Sequence, residues 1–429
     1  MRKGVFLLFA LLCGVLVWCA RDKSPLGPGE GPAVCPQHEV PWPSLADSPW
    51  PMYRHDPQLT GRSPYRGPRK GRVKWKFTPG ERGLIWPAVV VGLDANVYFG
   101  YRQVYPLEEG TFLYAVGADG GVRWRYRLSS RVGLSDEPGP PVVLADGAIV
   151  VAYAREHRVF VLNPDGTLRA TFGGTFWSLA NVGLDGTLYF VGEEGCLWAM
   201  SQQGDVKWRA CPPGGLKFHW EGVSISPDGN TLYGLGASAP TSQWVSSVWA
   251  VGTDGSALWG YPLPDSMGCG LLPVVSCEGN ILFATSGYTS PALYCLMPGG
   301  SVKWKVEGLS SEWTEPTVDP EGMTLFEIWG SNGGCPELVR VDCSGALLSR
   351  QRFCHGGRFP GTYAGPVCDA EGVMYLCTDE VTALDRSGAV MWKVPLEGKS
   401  SRIAAPAIGA DGTLYLGTYW EHSALYAIE

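Results

Sequence analysis

The chain has 429 residues, 34 basic and 41 acidic side chains, and a formal net charge of −7. Its length exceeds what one ordinary hydrophobic core supports, and the lack of a long basic run argues against nucleic-acid binding. The 58 glycines and 18 tryptophans suit many tight turns between small, repeated cores.

In chain order, the first element is a targeting segment. Arg2 and Lys3 precede an apolar run from Val5 to Trp18 that ends at Cys19. The run is too short to span a bilayer comfortably but suits the core of a signal peptide. A cysteine at that point resembles a bacterial lipoprotein signal, so residues 1–19 are read as leader and Cys19 as the lipidation site. Trp18 departs from the small residue usual there, and Ala20 gives no signal for retention at the inner membrane. Residues 20–50, rich in Pro, Gly and Ser, are expected to form a flexible tether. Residues 51–429 are expected to form the folded domain, and the protein to be exported to the outer membrane, periplasm or cell surface.

From Val73 onward the chain repeats itself. Gly71-Arg72-Val73-Lys74-Trp75 returns at Gly120–Trp124, Gly204–Trp208, Gly300–Trp304 and Gly388–Trp392, with looser copies at Gly166, Gly255 and Gly345. Acidic residues mark tight turns at Asp94, Asp146, Asp185, Asp228, Glu278, Glu321, Glu371 and Asp411, spaced 39 to 52 residues apart. In all but the first, Gly follows directly, and Asp-Gly turns unaided because Gly tolerates positive φ and Asp bonds its own backbone. Each unit reads as four strands: residues 140–145, 148–154, 158–163 and 167–172 form one example. The last apolar strand, Leu425–Ile428, lacks its partner, and the first, around Val73, lacks a preceding strand. The two complete one unit. The prediction is an all-β, eight-bladed propeller of four-stranded antiparallel blades, closed by the N-terminal strand. The Trp of each string is expected to pack between blades.

Propeller geometry puts the long insertions at 101–111, 237–247, 285–291 and 329–336 on one face, with His157, His219, His355 and His422. Eight residues before each acidic turn stand Trp86, Pro138, Trp177, Trp220, Gly270, Trp313, Tyr363 and Ile403. The five aromatics suit stacking on sugars, planar rings or peptide side chains. Just before these positions lie Glu137, His219, Glu312 and Arg402. Trp86, Trp177, Trp220, Trp313, Tyr363, His219, Glu312 and Arg402 are therefore the candidate binding set. The other reading of the aromatics, inter-blade packing, stays open. No nucleophile elbow, phosphate loop or zinc-ligand spacing is found, so no catalytic residue and no metal ligand is assigned. The 13 cysteines include neither an adjacent pair nor a C-x-x-C. Disulfides are allowed in an exported protein, but their pairing is not fixed by the sequence. Most of the cysteines are read as small buried apolar residues.

The segment Trp50-Pro51-Met52-Tyr53-Arg54-His55-Asp56-Pro57-Gln58-Leu59-Thr60-Gly61-Arg62-Ser63 resembles the opening motif of bacterial pyrroloquinoline-quinone-like (PQQ-like) β-propeller repeat proteins. The recurring Leu-Tyr-Ala, Asp-Gly and terminal Trp resemble the tryptophan-docking repeats of that quinoprotein-type family. In layout the chain is similar to the propeller lipoprotein of the outer-membrane β-barrel assembly machine, which implies a scaffold offering its surface to an envelope protein. The enzymatic branch of the family uses PQQ with Ca²⁺. This sequence lacks the adjacent cysteines that would stack on the quinone and any Asp-x-Asp calcium cluster, so no cofactor is expected. The expected function is a non-catalytic envelope binding or scaffold module. The alternatives are a PQQ-dependent oxidoreductase-like enzyme and a carbohydrate-binding surface protein that takes a glycan on its aromatics.

Overall fold

The computed structural model describes residues 31–429 except 81, 106–109, 131–137, 177, 238–243, 270–271, 287–290, 310–313, 329–336, 354–364, 379, 398–403 and 422. Eight four-stranded antiparallel blades form a ring. Blade 1 runs from Arg82–Val91 through Val97–Tyr105 and Thr111–Val116 to Val122–Ser129. Blades 2 to 7 follow in sequence. Blade 8 takes Ala407–Ile408, Leu414–Gly417 and Leu425–Ile428, and its outermost strand is Val73–Phe77 from the start of the chain. In that seam Val73 is opposite Ile428 and Phe77 opposite Leu425, as the split repeat requires.

The acidic turns join the first and second strands of each blade. Glycines 147, 186, 229, 279, 322, 372 and 412 all take positive φ there. In the five aspartate turns the acid accepts from the backbone two residues on, as Ala148 N donates to Asp146 Oδ1 and Thr187 N to Asp185 Oδ1. In the three glutamate turns the same N–H goes instead to Ser276, Asp319 or Asp369, two residues before the glutamate. Blade 1 alone has no glycine at this point, and Ala95 adopts φ 59° instead.

The tryptophans hold one blade to the next. Each sits on the outer strand of its blade, and five donate Nε1–H to a turn carbonyl of the following blade. Trp75 bonds Ala118 O, Trp124 bonds Pro164 O, Trp208 bonds Thr253 O, Trp259 bonds Pro298 O and Trp304 bonds Cys343 O, at 2.8–3.0 Å. The ring lies flat against a turn glycine. A Cβ on Gly255 would come within 3.0 Å of Trp208, and one on Gly345 within 2.7 Å of Trp304. Any side chain there would push the indole off its seat, and the positive φ of these glycines (87° and 92°) disfavours one in any case. Phe172 takes the same position in blade 2, against Gly204. Behind five of the docking indoles lies a tyrosine of the same blade, such as Tyr98 behind Trp124, Tyr189 behind Trp208 and Tyr233 behind Trp259, while Trp304 packs on a cluster that includes Leu282 and Cys295. The core is accordingly a series of apolar clusters between neighbouring blades.

Residues before Val73 do not form a blade. Residues 31–50, the latter two-thirds of the span expected as a tether, lie as a strap across the turn face. Cys35 and Gln37 bond Glu321 O and Pro320 O, Trp42 Nε1 bonds Val182 O, and Ala46 bonds Val143 O. A disulfide joins Cys35 to Cys343, and a second joins Cys196 to Cys211. Among the described cysteines, Cys295 and Cys368 are free and buried, while free Cys277 is partly exposed. The six basic residues from Arg66 to Lys76 all meet carboxylates. Arg66 pairs with Glu371, Arg69 with Asp369, Lys70 and Arg72 with Glu429, Lys74 with Asp411 and Lys76 with Glu397. This basic run is thus neutralised along the closing seam.

Candidate functional site

The innermost strand of a propeller blade leaves one row of backbone groups without a ladder partner, and such groups need satisfying when they are buried. The opening motif, residues 50–63, supplies the partners. It curves around the axis at the turn face and meets the blades in order. Val91 N bonds Trp50 O, Val143 N bonds Pro51 O, Ile225 N bonds Pro57 O, Val275 N bonds Gln58 O, Val318 N bonds Thr60 O and Cys368 N bonds Gly61 O. Asn181 of blade 3 reaches Pro57 O through Nδ2. The arc is fully packed: Trp50, Met52, Leu59 and Ser63 have no exposed surface. It floors the central channel, so access from the axis is left to the loop face.

Polar side chains converge on this floor. Tyr53 donates its hydroxyl to Glu315 Oε1 at 2.9 Å. Arg54 is almost wholly buried and gives Nε to Leu59 O and Nη2 to Pro316 O and Thr317 Oγ1. Its Nη1 lies 3.9 Å from Glu315 Oε2, and neither of those two buried atoms has a hydrogen-bond partner. Glu221, on the inner strand of blade 4, is half-buried. Burial, with the Glu315 charge nearby, pushes its carboxyl up to about 8. Burial also raises Glu315, although Arg54 and the Tyr53 hydroxyl pull the other way. The Tyr53 phenol is driven well up by burial and by the Glu315 charge. The floor thus presents one carboxylate held by Arg54 and Tyr53 beside a second that stays largely protonated at neutral pH, an arrangement that favours a cationic or hydrogen-bonding group over an anion.

On the outer side of the arc, His55 and Asp56 face the strap. Burial alone would raise the Asp56 carboxyl, but His55 and two hydrogen bonds from Thr60 hold it below the usual carboxylate range.

Of the residues picked out from sequence, Trp86 is half-buried and packs edge-on against Tyr419 at 5.8 Å, on a short strand (Tyr419–Glu421) that pairs with the strand carrying Trp86. His219 is buried and lies on the same strand as Glu221. Trp220 lies between them on that strand, but its side chain is outside the described set. Trp177, Trp313, Tyr363, Glu312, Arg402 and Cys19 also lie outside the described residues. Tyr53 and Arg54 were visible only as motif letters, and Glu221 and Glu315 were not singled out. The signal available for Glu221 is a lone acidic residue within the strand Lys217–Ile225, flanked by Phe218, Trp220, Val223 and Ile225.

The floor does not fit a calcium–quinone cofactor. Among the described residues no three His, Cys, Asp or Glu groups converge in the channel, and Glu315 is already engaged by Arg54 and Tyr53. The adjacent-cysteine pair that would stack on the quinone is absent from the sequence.

Fold and floor together define a tryptophan-docked eight-bladed propeller whose channel is sealed at one end by its own N-terminal segment. No protein-family model matches the sequence, and no curated relative matches it. Solved structures share the fold. A europium-containing methanol dehydrogenase superposes with a TM-score of 0.62 at 14% identity, covering 89% of this chain and 90% of that one. BamB from Moraxella catarrhalis gives 0.55 at 14%, covering 83% and 98%. The Dos1 propeller gives 0.59 at 9%, covering 83% and 94%. These likenesses place the chain with quinoprotein-type and BamB-like propellers in architecture.

Proposed function

We propose that this protein is a non-catalytic, exported propeller that serves as a binding or scaffold module at the bacterial cell envelope. The observation that carries the export reading is the pair of disulfides, Cys35–Cys343 and Cys196–Cys211. Such bonds persist in oxidising compartments and are rare in a reducing cytosol. The leader ending at Cys19 agrees with it, as does the fold likeness to a BamB propeller. Among the described residues no helix is long and apolar enough to cross a membrane; the proposed attachment is a lipid at Cys19.

Strap and arc occupy the turn face, so the partner surface is assigned to the loop face. Trp177, Trp220, Trp313 and Tyr363, with Glu312 and Arg402, are its proposed contacts. The partner is an envelope protein, with a glycan as the second candidate because half-exposed Trp86 leaves part of its ring open. The test expresses the full chain and follows N-terminal processing, lipid labelling and thiol status. Cleavage before Cys19, label on Cys19 and both disulfides formed are expected. A chain that keeps its leader and stays reduced in the cytoplasm overturns the proposal. Crosslinking from a photoreactive residue at position 177 or 313, compared with one on the turn face at position 412, then checks which face meets the partner.

A further inference from the structure

We propose that Glu39, His55 and Asp56 form a binding site for one divalent d-block cation, zinc above all, where the strap crosses the arc. One donor atom from each of the three lies within 4.8 Å of the others, and no other group of three comes together among the described residues. His55 Nδ1 is 3.4 Å from Asp56 Oδ2 and 3.8 Å from Glu39 Oε2. Both separations are long for a charge-assisted hydrogen bond, which spans about 2.7–2.9 Å. They are close to the edge of a coordination tetrahedron, where donors bonded at about 2.0–2.1 Å stand roughly 3.3–3.4 Å apart.

The surroundings hold these donors in place. The His55 ring is only 7% exposed and packs edge-on against Trp50 at 5.2 Å. Its Nδ1 has Asp56 Oδ2 as hydrogen-bond partner at 3.4 Å, beyond the usual span of about 2.7–3.2 Å for an N–H···O bond, a spacing that leaves room for an ion bound by both atoms. Asp56 accepts Thr60 N at 2.9 Å on Oδ1 and the Thr60 hydroxyl on Oδ2. Arg62 meets Glu39 through Oε1, with Nε and Nη2 both at 3.4 Å, while Oε2 turns toward His55. Outer contacts of this kind orient ligating carboxylates.

Imidazole with two carboxylates selects zinc and its neighbours. A calcium ion wants six to eight oxygens, and Arg62 on one side of Glu39 works against so open a shell. Three protein donors leave a fourth tetrahedral position for water or an incoming group. Glu39 belongs to the strap, and His55 and Asp56 to the channel floor, so a bound ion pins one to the other. Sequence spacing could not show this, because two ligands are adjacent and the third lies on a separate segment.

The test uses the disulfide-intact chain, stripped with chelator and titrated calorimetrically with zinc chloride. A parallel titration with cobalt chloride follows the visible bands that report tetrahedral coordination. One ion per chain is expected, and zinc is expected to raise the melting temperature. Glu39→Gln, which keeps an acceptor for Arg62, should weaken zinc binding by about ten- to a hundredfold or more, and His55→Asn should abolish it. Wild-type protein that takes up no zinc at roughly tenfold excess, or Glu39→Gln protein that binds as wild type does, overturns the proposal. Calcium bound in preference to zinc also overturns it. If His55→Asn fails to fold, Glu39→Gln decides alone, since Glu39 is exposed and sits outside the packed arc.

Discussion

Trp392 of blade 7 lies on Gly71, the residue that opens the first strand of the ring. A Cβ at Gly71 would come within 2.6 Å of the Trp392 ring, and Gly71 has φ 62°. The last complete blade therefore docks on a turn made more than three hundred residues earlier in the chain. Trp392 is also the docking tryptophan whose buried Nε1 finds no acceptor, so this seam rests on shape and on the ion pairs around Glu429.

Gly71→Ala is expected to destabilise the fold by about 2–3 kcal/mol, through the left-handed backbone and the displaced indole. Denaturant unfolding measures it. An unchanged midpoint would mean that the seam tolerates a methyl group and that Trp392 does not depend on Gly71.

Trp208→Ala should cost about 3 kcal/mol, since the indole is half-buried between blades 3 and 4. Trp208→Phe should cost about 1 kcal/mol, chiefly by leaving Thr253 O without its donor. Equal losses for the two variants would contradict the assignment of most of the effect to packing.

Ala95→Gly should stabilise the protein by about 0.5–1 kcal/mol. Ala95 holds φ 59° where seven of the other blades have glycine. The relief of strain exceeds the extra freedom of an unfolded glycine. A lowered melting temperature would refute this.

Glu221 makes stability depend on pH with a defined sign. Its folded carboxyl titrates at about 8, well above the ordinary value near ~4.3. The folded state therefore holds a proton that the unfolded chain has lost, and stability declines as pH rises from about 4.3 to about 8. Glu221→Gln should melt higher than wild type at about pH 9 and close to wild type at about pH 4. Asp146, Asp185, Asp228 and Asp411, held below the usual carboxylate range, act in the opposite sense. Asp185 is lowered to about 2: burial opposes this, but Thr187 and Lys207 outweigh it. Its contribution is present above about pH 4 and is lost as pH falls toward about 2. Melting curves across pH check both signs.

Cys35→Ser should release the strap. The bond spans 308 residues, and losing so long a crosslink costs about 3–5 kcal/mol on chain-entropy grounds. Protease cleavage within residues 31–48 should then speed up before the ring itself unfolds. If cleavage keeps its wild-type rate, hydrogen bonds such as Trp42 to Val182 hold the strap unaided.

The ring was legible because its information is local. Asp-Gly pairs fix turns, Val-x-Trp strings fix outer strands, and a strand missing at one end with one spare at the other fixes closure. The floor was not legible, because its parts come from separate places. Tyr53 and Arg54 belong to a motif whose letters give no direction. Glu221 and Glu315 lie on different blades, and only closure brings them together. Counting back from the turns finds a ring such as Trp86 but not its neighbours, because Tyr419, which meets it edge-on, lies more than three hundred residues away in the chain.

Residues 50–63 are synthesised first, yet their partners extend to Cys368. The keystone of the ring thus waits for almost the whole chain to emerge. Until then the inner edges of the early blades stay open to wrong pairing, a hazard of long-range topology. The protein's folding is thereby tied to whatever protects a half-made ring until its last blades are in place.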